Sequence, residues 1–178
     1  ALEVGKKSLA LLRTVDNPIA LADALYIMGY IYVSLHQFDH SQACLEEALA
    51  LLEGRSDQRA IKQNVLNALG NLMNARGNVS QSTDYGTQLL ELARQAGDHN
   101  AMGNARNMLG EAARLQQDYV TAASHYEESL HHAQESGSLS ARAYRLPNLG
   151  FAVLHLGQAG RAQLLFVEGL ALSHAFGD

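Results

Sequence analysis

Cysteine occurs once in the 178 residues, at Cys44, so no internal disulfide can close and nothing points to an oxidising compartment. Tryptophan is absent and aromatics reach only 6%, so the 47% hydrophobic content comes mainly from Ala and Leu, which pack helices closely. That content supports a continuous core and excludes a disordered chain. The charge balance has no block of one sign. A net charge of −5 opposes direct contact with nucleic acid, whose affinity comes from Lys and Arg neutralising phosphates. No polybasic or acidic run marks a membrane surface or a tail. Long apolar runs are also missing: Ala24 to Val33 is about half the length needed to cross a bilayer. No basic region followed by an apolar signal core opens the chain. Val and Ile are scarce and no period-2 alternation persists, which removes a strand reading. The expected setting is cytoplasmic. Because the sequence opens within a helical pattern and stops on a repeat mark, we expect a piece of a longer protein.

A repeat is present throughout. Met28-Gly29, Leu69-Gly70, Leu109-Gly110 and Leu149-Gly150 recur at intervals of 41, 40 and 40 residues. A second set of marks falls at Asp16, Asp57, Asp98, Ser138 and Asp178, each able to cap a helix N-terminus. Gly97, Gly137 and Gly177 precede three of them, where a helix would end in a left-handed residue. Each unit breaks once more, at His36-Gln37, Gly77-Asn78, Gln117-Asp118 and Gly157-Gln158. Each unit is therefore two helices and a tight turn. Position +12 from the repeat glycine holds Ser41, Ser82, Ala122 and Ala162, small enough for close helix approach. Position +20 holds Leu49, Leu90, Leu130 and Leu170, which fill the layer between helices. The pattern predicts helices at about 1–14, 18–36, 39–54, 57–76, 80–96, 99–116, 120–136, 139–156 and 160–176.

Leu-Gly, an apolar residue at +9 (Phe38, Val79, Tyr119, with Ala159 weaker), a small one at +12 and a large one at +16 (Leu45, Tyr126, Phe166) together resemble the tetratricopeptide repeat. The resemblance runs over nearly the whole chain. Two departures stand out: a period of about 40 in place of 34, and a longer second helix ending in Gly-Asp or Gly-Ser in place of the terminal proline. Long units of this kind are similar to those of Pins-like scaffolds, kinesin light chains, Rap and PlcR-like regulators, and MalT-like and AfsR-like transcriptional regulators. Tyr126-Glu127-Glu128-Ser129-Leu130 and Glu168-Gly169-Leu170-Ala171-Leu172 look most like the last group.

The resemblance implies an all-α, right-handed superhelical solenoid of antiparallel helix pairs, a truncated array in a single domain 1–178. Residues 1–15 are then a leftover second helix, followed by four pairs at 16–56, 57–97, 98–137 and 138–178. It also implies a concave surface lined by first-helix positions −6, −3, +1 and +4, whose spacing makes one helical stripe. Those positions hold Asn64, Asn67, Asn71 and Asn74 in the second full unit, and Asn104, Asn107, Glu111 and Arg114 in the third. Asn is a poor helix former, so six on adjacent stripes go against local propensity. A carboxamide both donates and accepts, which suits it to the backbone of an extended peptide. A solvated Asn-rich face, or Asn side chains bonded to one another across helices, accounts for the same residues. The flanking units present Asp23, Tyr26, Tyr30 and Val33, and Tyr144, Pro147, Phe151 and Leu154, giving an amide-lined centre between aromatic ends. Tyr26 and Tyr30 also fit an internal surface exposed by a missing helix.

The eight histidines form no ligand spacing: His36 and His40 straddle a turn, His131 and His132 diverge, and His125 and His132 lie two turns apart. Solvated surface is the expected place for all of them. Cys44 reads as a small buried thiol. Arg106 occupies a column filled elsewhere by Leu25, Leu66 and Leu146; it either reaches past the core to water, the favoured reading, or anchors an anionic ligand group. No phosphate loop, nucleophile elbow or zinc-helix motif occurs. The expectation is a protein or peptide-binding scaffold, not an enzyme, with no cofactor, no metal and no membrane contact, from a larger bacterial signalling or transcriptional regulator. A small-effector sensor and a spacer that self-associates through its exposed ends are the alternatives.

Overall fold

The structure is a computed structural model that describes residues 2–177. Nine α-helices follow one another among the described residues: α1 Leu2–Leu12, α2 Pro18–Ser34, α3 Phe38–Leu51, α4 Arg59–Ala75, α5 Val79–Ala96, α6 His99–Leu115, α7 Tyr119–Glu135, α8 Leu139–His155 and α9 Ala159–Gly177. They pack as the pairs α2/α3, α4/α5, α6/α7 and α8/α9, with α1 against α2. Consecutive pairs join through α3/α4, α5/α6 and α7/α8. The first helices also touch each other, α2 with α4 and α4 with α6. This asymmetry makes the first helices the inner wall of a solenoid.

The turns are built alike. At each break within a unit one residue enters the left-handed region: His36 (φ 56°), Gly77 (φ 70°), Gln117 (φ 61°) and Gly157 (φ 78°). The next amide then donates to a carbonyl five residues back, Gln37 to Tyr32, Asn78 to Met73, Asp118 to Ala113 and Gln158 to Val153. These bonds satisfy carbonyls that the helix end would leave orphaned. Between units, Gly97 (φ 66°) and Gly137 (φ 67°) close α5 and α7 the same way.

Two of the predicted caps hold. Asp98 Oδ1 accepts from the Ala101 amide at 3.0 Å and Ser138 Oγ from Ala141 at 3.2 Å. Two are displaced. Asn17, not Asp16, caps α2 by accepting from Ala20 at 3.0 Å, because Pro18 occupies the first helical position and fixes the entry there. Asp57 sits inside a 3₁₀ turn, Ser56–Gln58, and accepts from Gln58 Nε2, while α4 starts at Arg59 with no side-chain cap. The mark at Asp178 lies outside the described residues.

The small +12 residues Ser41, Ser82, Ala122 and Ala162 are all buried, and Ser41 Oγ donates to the Gly29 carbonyl at 2.9 Å. Over each repeat glycine lies a large side chain. A Cβ on Gly29 would meet Leu45, on Gly110 Tyr126 and on Gly150 Phe166, the +16 residues of the same units. In the second unit +16 is Gly86, and Met108 of the next unit fills the place over Gly70 instead. An unbranched thioether reaches where a branched residue would not. Leu170, the last of the +20 leucines, is 60% exposed because no further helix covers α9 among the described residues.

Candidate functional site

The stripes expected on the inner wall differ in how far their side chains are already engaged. On α4, Asn64 and Asn71 are exposed and Asn67 is half-buried. Asn71 Nδ2 reaches Asn67 Oδ1 at 3.4 Å, at the long end of a hydrogen bond, so both amides remain open to solvent. Asn74 is a joint between units: its Nδ2 donates to the Met108 carbonyl of α6 at 3.0 Å. Beside this stripe, Tyr30, Val33, Phe38, Ala68 and Leu72 line an apolar recess of about 130 Å³ between α2 and α4. Tyr26 packs edge-on against Tyr30, ring centroids 5.1 Å apart, and burial with the Tyr30 hydrogen bond pushes its hydroxyl pKa up.

On α6 the stripe is engaged. Asn107 is 7% exposed and its Oδ1 accepts from Asn148 Nδ2 of α8 at 2.8 Å. Asn104 is exposed, but its Oδ1 accepts from Arg145 Nη2 at 2.8 Å. Arg114 forks onto Glu111 Oε2 through Nε (3.0 Å) and Nη2 (2.7 Å), and Tyr126 donates its hydroxyl to Glu111 Oε1. The bond to Glu111 raises the Arg114 pKa, and burial raises that of Tyr126. The Arg114 guanidinium lies 5.6 Å from the Phe151 ring centroid, a cation–π contact across units. Glu111, Arg114, Tyr144, Pro147, Asn148, Phe151 and Phe166 surround an open recess of about 430 Å³ between α6 and α8. Asp23 and Leu154 are exposed and lie outside both recesses.

Two expectations are corrected. Arg106 does not reach past the core to water: it pairs with Glu128 Oε2 at 2.7 Å and meets His125 Nδ1 at 3.2 Å, with its own side chain 15% exposed. Nor are all histidines solvated. His99 Nδ1 and His132 Nδ1 stand 3.2 Å apart, part-buried between α6 and α7, and burial lowers the pKa of both His125 and His132. Both corrections follow from α6 and α7 packing closely enough for polar side chains to close on each other. Cys44 is half-buried, and burial raises its thiol pKa, as for an inert thiol. Among the described residues no group of three or more His, Cys, Asp or Glu converges as a metal site. No described helix is long and apolar enough to cross a membrane.

Sequence reasoning missed Arg145. Its column, five before the repeat glycine, otherwise holds Ala24, Val65 and Ala105, yet the side chain is buried at 2% exposure. Nη1 donates to the Ser129 carbonyl at 2.9 Å. Room for it comes from Gly103, where a Cβ would lie 2.7 Å from Cζ and run into Nη1. An arginine in a column of small apolar residues, with glycine two columns away in the preceding unit, was the available signal.

This architecture defines a class: the chain is an α-solenoid of antiparallel helix pairs, similar in fold to tetratricopeptide-repeat proteins. Residues 62–135 match the sequence model of the tetratricopeptide repeat. Among solved structures, the chain is similar to the apo form of RapI (TM-score 0.89, 15% identity, covering 100% of this chain and 65% of that one). It is similar also to a Rap protein complexed with competence and sporulation factor (0.81, 16%, 97% and 48%). A Podosopora anserina protein of kinesin-light-chain type with nearly identical TPR-like repeats matches at TM-score 0.73, 16% identity, covering 98% of this chain and 86% of that one. At these identities the likeness is one of fold. The chain spans about half to two thirds of the length of the two Rap structures. No curated protein matches the sequence.

Proposed function

We propose that this solenoid is a non-enzymatic scaffold that holds an extended peptide segment of a partner along its inner wall. The observation that carries this reading is the open pair Asn67 and Asn71 on α4, flanked by the apolar recess under Tyr30 and Val33 and by the aromatic recess at Tyr144 and Phe151. A free amide supplies the donor and acceptor that a peptide backbone needs, and a recess on each side takes side chains. A Rap protein of the same fold is complexed with competence and sporulation factor, which fits a regulatory scaffold of this shape. The wider setting we infer is a larger cytoplasmic bacterial signalling or transcriptional regulator of the MalT-like or AfsR-like kind. The test is selection of a displayed random-peptide library on the protein, followed by affinity measurement on Asn67→Ala/Asn71→Ala. Losing two polar contacts should weaken selected peptides by about ten-fold or more. Unchanged affinity removes the inner wall from the account.

The 430 Å³ recess between α6 and α8 favours a second reading, a small-effector sensor, since it falls within the size of ligand pockets. A metabolite that raises the melting temperature of the wild type and leaves a Phe151→Ala variant unmoved would establish it.

A further inference from the structure

We propose that His99 and His132 form a binding site for a divalent transition-metal ion, zinc in particular, at the open end of the α6/α7 hairpin. Neither histidine lines the two recesses of the inner wall, so the site stands apart from the peptide reading.

The geometry of the pair fits one shared ion. His99 opens α6 and His132 lies in the last turn of α7, so they meet at the end of the hairpin that its own turn does not close. Their Nδ1 atoms stand 3.2 Å apart, with ring centroids at 5.4 Å and planes inclined by 59°. Zinc–imidazole bonds are about 2.0–2.1 Å long, so an ion bonded to both atoms would subtend an angle of about 100–106°, close to tetrahedral. Imidazole nitrogen is a ligand that zinc favours. Both rings are part-buried, which leaves the remaining positions of the ion to water.

The repeat itself marks the pair. His132 stands at +22 from the repeat glycine, where the other units hold the half-buried leucines Leu51, Leu92 and Leu172. His99 stands at −11, where they hold Pro18, Arg59 and Leu139. Histidine enters each column once, both times in the third unit, and the two side chains so introduced touch each other. Giving up a leucine there forfeits apolar burial, and a single hydrogen bond between neutral rings returns little of it. An ion held by both rings accounts for the exchange. Spacing along the chain hides the pair, because 33 residues separate the two histidines.

The surroundings keep a ligand ready. A metal takes the neutral imidazole. Burial, and after it His99, His131 and Arg106, hold the His132 pKa down against the opposing pull of Glu128, so the ring is neutral at physiological pH. Glu128, one turn before His132 on the same face of α7, places a carboxylate beside the site. Arg106 adds a positive charge nearby, which its pairing with Glu128 at 2.7 Å offsets. Bound there, the ion would fasten the start of α6 to the end of α7 and couple the stability of the third unit to metal.

The experiment titrates the untagged, chelator-treated chain with Zn²⁺, following the histidine ring nitrogens by ¹⁵N NMR and the melting temperature in parallel. Expected is saturable binding of one ion per chain that moves the ring signals of His99 and His132, spares those of His36 and His155, and raises the melting temperature. Mg²⁺, which prefers oxygen ligands, should leave all of them unmoved. His132→Leu and His99→Leu each install a residue the same column holds elsewhere, and each should weaken zinc by at least about ten-fold and abolish the thermal shift. His131→Gln, at the exposed neighbour, should bind as the wild type does. Should a leucine variant not fold, His132→Gln takes its place, and the wild-type ring signals decide independently of any variant. No saturable binding, an equal response to Mg²⁺, binding that survives in a folded variant of His99 or His132, or a comparable loss in His131→Gln overturns the proposal.

Discussion

The inner stripes of α4 and α6 carry asparagine at the same repeat positions, yet the two stripes are in different chemical states. On α4, the amides of Asn67 and Asn71 meet each other weakly, at 3.4 Å. On α6, Asn104 and Asn107 are each held at 2.8 Å by a donor from the next unit. The same residue type at the same register is an open amide in one unit and an amide held across the seam in the other. The difference comes from α8, which brings Arg145 and Asn148 across the seam. Local sequence therefore sets where an amide stands, and the neighbouring helix sets what its oxygen is bonded to.

The largest expected contrast lies at the repeat glycines beneath the stripes. Gly110→Ala pushes a Cβ to 2.6 Å from the Tyr126 ring, which is fully buried and rigid, and should cost about 1–3 kcal/mol by overpacking. Gly70→Ala runs into the Met108 thioether, which has rotamers to escape by, and Ala recovers up to about 1 kcal/mol of helix propensity. Urea unfolding of the two variants should separate them. Equal losses would mean that Met108 is as fixed as Tyr126.

Next in size is the contrast between the asparagines themselves. Asn107→Ala removes a buried carboxamide and leaves the part-buried Asn148 amide without its acceptor, and should destabilise by about 1–2 kcal/mol. Asn71→Ala, at an exposed position, should stay within about 0.5 kcal/mol of the wild type. If the two substitutions prove alike in chemical denaturation, the engaged and open stripes are not distinct.

The smallest effect is a dependence on pH. Burial lowers the pKa of His125 and His132, with Arg106 adding to it at both and His99 and His131 at His132, while Glu128 works against it. The native state thus binds these protons less readily than the unfolded chain. Their contribution is fully present above the ordinary histidine pKa of about 6.5 and is lost as the pH falls below it. Stability should decline modestly from pH 7 towards pH 5, and His125→Gln should flatten the slope. Hydrogen exchange should place the loss at α6 and α7 while α4 and α5 keep their protection, because the latter pair has no histidine. A slope unchanged in the variant, or a loss centred on α4, would contradict the assignment.

Much of the architecture was legible because a repeat writes each packing rule four times. The glycines at 29, 70, 110 and 150, the turns at 36, 77, 117 and 157, and the small residues at 41, 82, 122 and 162 share one spacing. Each is imposed by local geometry: close helix approach, left-handed turn, buried interface. Caps were legible where side chain and helix start were adjacent, as at Asp98, and not where Pro18 or a 3₁₀ turn moved the start. The stripe positions followed from helical spacing, but their hydrogen-bonding state did not.

The sequence by itself determined the helix pairs and their phase, since these depend on contacts within about one repeat. Only the tertiary structure decided that Arg106 closes on Glu128, that Met108 fills the space over Gly70, and that Arg145 crosses a seam to bond the Asn104 oxygen. The physical reason is range: Arg145 and Asn104 are 41 residues apart, and their meeting depends on how two successive units stack, which no single unit specifies.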